Sequence, residues 1–124
     1  MLENILDKSG LDYLHKEDFE EKTPGRFFQK EKVDLGNGLK QFIVVLGPNI
    51  KSPIHNHQGE NLTETHLLLW GSGRFIIYED GEESELILEK GKFHEIFTTP
   101  LKNPDHKYIA GPEGSITLAL EKIF

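Results

Sequence analysis

Residues 52–78, SPIHNHQGENLTETHLLLWGSGRFIIY, contain the strongest indication of the fold. Within this stretch, His55 and His57 are one residue apart in a segment, Ser52 to His57, that we predict to be extended. Alternate residues of a β-strand point to the same face of a sheet. We therefore expect the two imidazoles to leave the backbone together and to chelate one metal ion.

A carboxylate and a third imidazole would complete this site. Glu64 follows His57 by seven positions and lies in a second predicted strand, Thr63 to Trp70, and His106 lies beside a strand far downstream. Glu60, at the tip of the intervening loop, is the alternative carboxylate. Imidazole and carboxylate suit iron, zinc, manganese or nickel, and they can leave coordination positions open. The predicted ligands of a divalent transition metal are His55, His57, Glu64 and His106.

His66 is the candidate catalytic residue. Leu67 and Leu69 alternate onto one face of the predicted strand, which leaves Glu64, His66, Leu68 and Trp70 on the other. A carboxylate, an imidazole, a leucine and an indole on one face are typical of a ligand cavity. We predict that His66 is a general base or a substrate anchor beside the metal. The alternative is a buried structural histidine whose hydrogen bonds are satisfied.

The remaining pattern predicts an all-β protein with a short, partly helical N-terminal lead. Residues 1–25 form the lead, and residues 26–124 form a single β-barrel domain of short strands separated by turns. Gly36-Asn37-Gly38 and Asp80-Gly81 suit the positive φ of hairpin turns, and residues 111–114 suit a four-residue turn. The predicted strands are Arg26 to Val33, Leu39 to Leu46, Ser52 to His57, Thr63 to Trp70, Arg74 to Tyr78, Ser84 to Leu88, Phe93 to Thr98, Lys107 to Ala110 and Ser115 to Glu121. Five phenylalanines are predicted core residues, namely Phe27, Phe28, Phe42, Phe75 and Phe97.

Composition excludes several classes of function. The chain has 124 residues and a formal net charge of −7, which argues against nucleic-acid binding because phosphate contacts need a concentrated positive face. No apolar run approaches a membrane span, and the first residues lack a secretory signal, so we predict no membrane partner and a cytoplasmic location. Because the chain has no cysteine, histidine and carboxylate must hold any metal.

The order of these residues resembles the two motifs of the cupin family. The first motif is a glycine, an extended His-x-His, a glutamate and a glycine seven positions later, and its counterparts here are Gly47, His55, His57, Glu64 and Gly71. The second motif is a glycine, a proline and a histidine, and its counterparts are Gly91, Pro100 and His106. The resemblance implies a jelly roll, or double-stranded β-helix, with a metal inside the barrel mouth.

The same resemblance implies a function and its alternatives. A small metalloenzyme acting on a small organic acid, with dioxygenase-like or other metal-assisted chemistry, is the preferred interpretation. The Ser52 to His57 run is also similar to thiol dioxygenases, which adds some support for oxygen chemistry. Their activity is not carried over, because they bind the metal with three histidines and this chain supplies Glu64. The alternatives are a non-catalytic sensor or small-molecule-binding cupin and a metal-independent sugar-nucleotide isomerase or epimerase. Cupin relatives also imply a homodimer with a small-molecule ligand.

Overall fold

The fold is built almost entirely from antiparallel strands. A computed structural model describes residues 1–55, 62–98 and 104–123 of the chain. Helix α1 spans Leu2–Ser9, and a 3₁₀ turn spans Lys16–Asp18. The strands are β1 (Phe19–Thr23), β2 (Arg26–Gln29), β3 (Val33–Gly36), β4 (Leu39–Leu46), β5 (Leu62–Glu79), β6 (Glu82–Ile87), β7 (Phe93–Thr98) and β8 (Asp105–Ile123).

Two long strands organise the sheet. The hydrogen-bonded order is β1-β2-β4-β8-β5-β6, with β3 also paired to β4 and β7 also paired to β5. Strand β5 has 18 residues and β8 has 19, and they pair with each other along most of their length. All the pairings between these strands are antiparallel, as the sequence predicts for a barrel or sandwich.

Two glycine-rich segments with the composition of turns are bulges inside these long strands. Residues 71–73 lie within β5 and residues 111–114 lie within β8, so the predicted breaks at both places are wrong. The segments face each other, because Gly71 pairs with Ser115 and Gly73 pairs with Ala110, with a register shift between the two pairs. Gly71 has φ +81°, and a Cβ there would collide with the carbonyl of Gly114. The extra residues bend both strands at one point, as bulges do.

Other strands and turns agree with the predictions in part. The limits of β4 and β7 are those predicted, and positive φ at Asn37 and Asp80 confirms both hairpin turns. The predicted strand from Arg26 stops at Gln29. The predicted strand from Ser52 to His57 does not form in its described part, where His55 makes an isolated bridge to His106. Lys51, just before that segment, makes a second isolated bridge to Ile109.

The period-2 alternation of β2 and β4 divides the sheet into an outer and an inner face. On the outer face, Phe27 and Val45 pack with Ile5 and Leu6 of α1 in one apolar cluster. The N-terminal lead therefore covers the sheet, and it also contains a strand, β1, that the sequence pattern did not predict. On the inner face a second cluster contains Leu46, Leu68, Phe75, Leu88, Tyr108 and Ala110.

The predicted core phenylalanines are mostly buried. Phe27, Phe42 and Phe75 are buried as expected, and Phe28 is half-buried on the inner face. The side chain of Phe97 lies outside the described part of the chain.

Within the described ranges, no α-helix combines the length and apolar character that crossing a bilayer requires. The division at residue 25, the homodimer and the cytoplasmic location stay predictions.

Candidate metal centre and its cavity

A cavity of about 160 Å³ lies against the inner face of the sheet. Its wall is mostly aromatic and aliphatic, and Phe28, Phe42 and Phe75 contribute much of it. Because the volume is well below that of a drug-sized pocket, it suits a ligand of a few heavy atoms. The polar and charged groups that line it are Arg26, Ser52, His55, Glu64, His66, Tyr108, Thr117 and Glu121.

Glu64 and His106 meet inside the molecule. Nε2 of His106 lies 3.3 Å from Oε2 of Glu64, and the two residues are 6% (Glu64) and 0% (His106) exposed. Glu64 stands near the start of β5 and pairs with Glu121 near the end of β8, whereas His106 stands near the start of β8 and pairs with Ile77 near the end of β5. The paired strands therefore bend back so that their opposite ends approach each other across the interior.

His55 is tied to His106 through the backbone. Each residue donates its N–H to the carbonyl of the other at 2.9 Å, and the centroids of the two rings are 4.3 Å apart. Nδ1 of His55 lies 3.0 Å from the carbonyl of Pro53, and Nδ1 of His106 lies 3.1 Å from the carbonyl of Pro104. Because a carbonyl only accepts, each Nδ1 carries the donated proton, and Nε2 is the nitrogen that can bind a metal.

The geometry of these side chains fits two neighbouring ligands of one ion. Donors about 2.1 Å from a metal and at right angles to each other are about 3.0 Å apart. That separation is close to the 3.3 Å between Glu64 and His106. In the described ranges, no three histidine, aspartate or glutamate side chains come together as a metal site. The structure thus joins Glu64 to His106 and places His55 beside them. His57 and Glu60 lie outside the described residues.

His66 lies in the same cavity, two positions after Glu64 on β5. Its ring centroid is 4.6 Å from that of Phe75. The prediction that this face of the strand lines a cavity is confirmed for Glu64 and His66. It is wrong for Trp70, which packs with Leu69 against the outer cluster. A register shift after Leu68 places these two consecutive side chains against the same cluster.

The sequence analysis missed five polar residues of the cavity wall, namely Arg26, Ser52, Tyr108, Thr117 and Glu121. The guanidinium of Arg26 lies 4.6 Å from the ring centroid of Phe28, and burial lowers the pKa of Arg26. Tyr108 is 6% exposed, and burial raises its pKa to about 12. The hydroxyl of Ser52 accepts the N–H of Tyr108 at 2.8 Å. Arg26 stands two positions before Phe28, a predicted core residue, so the alternation of side chains along a strand could have predicted that both lie on the same face. No local signal marks Ser52.

Comparisons with known proteins identify the fold. The sequence matches no protein-family model and no curated protein sequence. Its structure is similar to that of an RmlC-like cupin from Shewanella frigidimarina, with a TM-score of 0.60, 16% identity and 86% of each chain covered. The chain has the cupin fold. The predicted cupin jelly roll with a short helical lead is therefore confirmed.

Two further cupin-fold structures are similar over most of this chain. KdgF from Halomonas sp. has a TM-score of 0.60, 17% identity and 84% of each chain covered. A single-substitution variant of oxalate decarboxylase from Bacillus subtilis has a TM-score of 0.68 and 18% identity over 85% of this chain. This chain spans only 27% of the oxalate decarboxylase chain. At these identities the likeness is one of fold.

Proposed function

We propose that the protein is a metal-binding cupin and a small metalloenzyme that acts on a small organic acid. A divalent transition metal, namely iron, zinc, manganese or nickel, would be held by His55, His57, Glu64 and His106. The observation that carries the proposal is the buried contact between Glu64 and His106, beside His55 and at the wall of a small cavity.

The electrostatics of this contact support a bound cation. Since Nδ1 of His106 is directed at a carbonyl, Nε2 of the neutral ring presents a lone pair to the Glu64 carboxylate. Two acceptors in contact repel each other, and a buried carboxylate needs a positive charge near it. Either a proton on Nε2 or a metal ion supplies that charge. Nδ1 of His55 is also directed at a carbonyl, so Nε2 of His55 is available as a second metal ligand. This favours the metal, because a protonated His106 would not require a second imidazole in the same orientation.

The chain's own residues would bind and orient the acid. A divalent ion at this position supplies Lewis acidity toward a ligand oxygen. His66, facing the same cavity, is placed to accept or hold a proton as a general base or substrate anchor. The phenylalanines of the wall exclude water, which strengthens the polar interactions inside. The oxalate decarboxylase that shares this fold acts, by its name, on a small organic acid. The proposed metal-assisted chemistry on the acid includes dioxygenase-like oxidation.

The test is elemental analysis of the full chain purified without added metal. We expect about one transition-metal ion per chain, and we expect His57→Ala and Glu64→Gln to lose it. His15→Ala is the matched control, because His15 is exposed and stands before β1. Protein that contains no metal and keeps its stability in a chelator would contradict the proposal.

The second candidate is a non-catalytic module that binds a small molecule. It is favoured by the observation that the described residues contain no complete group of three metal-ligating side chains. In that case Glu64 and His106 form a structural ion pair, and the His57→Ala variant binds small acids as well as the unmodified chain does.

A further inference from the structure

We propose that Arg26 is the residue that selects the ligand of this cavity, by binding the carboxylate of a short organic acid. The inference deepens the proposed function, because it concerns the same cavity, but Arg26 does not contact the metal candidates in any interaction that the structure shows. It assigns a role to a residue of the N-terminal part of the sheet, far in sequence from His55 and Glu64.

The alternation of side chains along β2 places the guanidinium of Arg26 at the cavity. Arg26 and Phe28 stand two apart on β2 and line the cavity, while Phe27 between them packs into the outer cluster. Their partners Leu46 and Val44 on β4 line the same cavity. The guanidinium lies 4.6 Å from the Phe28 ring centroid, so the aromatic ring holds it in place.

Arg26 forms no ion pair within the described part of the chain, although it is half-buried. The chain's other arginine, Arg74, is more typical, because it is exposed and its Nε lies 3.3 Å from Glu85. Burial without a partner destabilises a cation, and the lowered pKa of Arg26 has burial as its cause. An anion bound from solution would offset that cost.

The rest of the cavity favours a carboxylate among possible anions. A planar carboxylate accepts two parallel hydrogen bonds from a guanidinium. The volume of about 160 Å³ limits the ligand to a few heavy atoms, and the apolar wall suits a short carbon chain. Glu64 and Glu121 line the same cavity, and they oppose a doubly charged phosphate more strongly than a monoanion.

The experiment is isothermal titration calorimetry of the full chain with propionate, butyrate, glycolate, oxalate and inorganic phosphate. Each probe is titrated into protein as purified and into chelator-treated protein. The variants are Arg26→Gln, Arg26→Lys and the control Arg74→Gln. We expect Arg26→Gln to weaken carboxylate binding roughly 10- to 100-fold, with or without metal, because a charge-assisted pair is lost. Arg26→Lys keeps the charge without the planar fork, so we expect a smaller loss, and Arg74→Gln should bind normally.

The outcomes separate this inference from the proposed function. If the protein purifies without metal but its carboxylate binding depends on Arg26, the binding supports the inference and the missing metal counts against the metalloenzyme. Metal-containing protein whose Arg26→Gln variant binds carboxylates normally overturns the inference alone. The assignment is also wrong if no carboxylate of the series binds the unmodified chain, or if phosphate binds more tightly than all of them. Should Arg26→Gln fail to fold, the comparison of Arg26→Lys with Arg74→Gln decides.

Discussion

The buried phenol of Tyr108 predicts a specific loss of stability at alkaline pH. Burial raises the pKa of Tyr108 from 10.0 to about 12. In the unfolded chain the phenol titrates near its ordinary value, so between about pH 10 and 12 the unfolded state loses a proton that the folded state keeps. Its contribution to stability is therefore complete below about pH 10 and declines as the pH rises through about 12. A difference of about two pKa units corresponds to about 3 kcal/mol of unfolding free energy.

The assay is urea unfolding of the unmodified chain and Tyr108→Phe across this pH range, in chelator so that metal loss does not contribute. We expect the unmodified chain to lose about 3 kcal/mol more than the variant does, since only the phenol differs. Tyr13→Phe is the control, because Tyr13 is exposed and should give the unmodified profile. Parallel profiles for Tyr108→Phe and the unmodified chain would show that the buried phenol does not cause the alkaline loss of stability.

Three further predictions concern the interior. Gly73→Ala should lower the unfolding free energy by about 1–3 kcal/mol, because a Cβ there falls on the hydroxyl of Tyr108; a thermal melt would detect the loss, and an unchanged Tm would contradict the packing. Ile116→Ala should cost about 2–5 kcal/mol in urea unfolding, since Ile116 is fully buried in the outer cluster. In metal-free protein, Glu64→Gln should cost about 3 kcal/mol, and a double-mutant cycle with His106→Gln should give a clear coupling energy; additive effects would mean that the two residues do not interact.

The regular parts of the fold could be predicted because their signals are local. Strand β4 ends in a continuous run of apolar residues, Phe42 to Leu46, and glycines at 38 and 47 flank it, so its limits follow from the local pattern. The turns at Asn37 and Asp80 were predictable for the same reason, because asparagine or aspartate followed by glycine is a local turn signal. Both residues have the positive φ that this signal predicts.

The bulges could not be predicted, because glycine marks turns and bulges alike. Residues 71–73 and 111–114 have the composition of turns, and only the pairing of β5 with β8 shows that the two segments lie opposite each other. Nothing within either segment reveals its partner, which is far away in sequence. A non-local pairing therefore decided the conformation of two segments whose local sequences favoured something else.

The candidate site was also predictable only in part, because its residue types are local signals and its geometry is not. The types of residue at His55, Glu64 and His106 suggested a metal centre, yet their convergence depends on how the long strands bend. Arg26 and Ser52 went unnoticed because a cavity wall is defined by which strands face each other across the interior. Whether His57 completes the set stays a prediction, since it lies outside the described residues.

The origin of the site in three separate segments has a thermodynamic consequence. Glu64 comes from the start of β5, His106 from the start of β8, and His55 from the segment between β4 and β5. An unfolded chain does not hold these three groups together, so an ion that binds all of them binds only the folded state. At a free concentration of about one hundred times Kd, such an ion stabilises the fold by about 2.7 kcal/mol. Stability that rises with added metal in the unmodified chain, but not in Glu64→Gln, would therefore identify the proposed site without knowledge of the substrate.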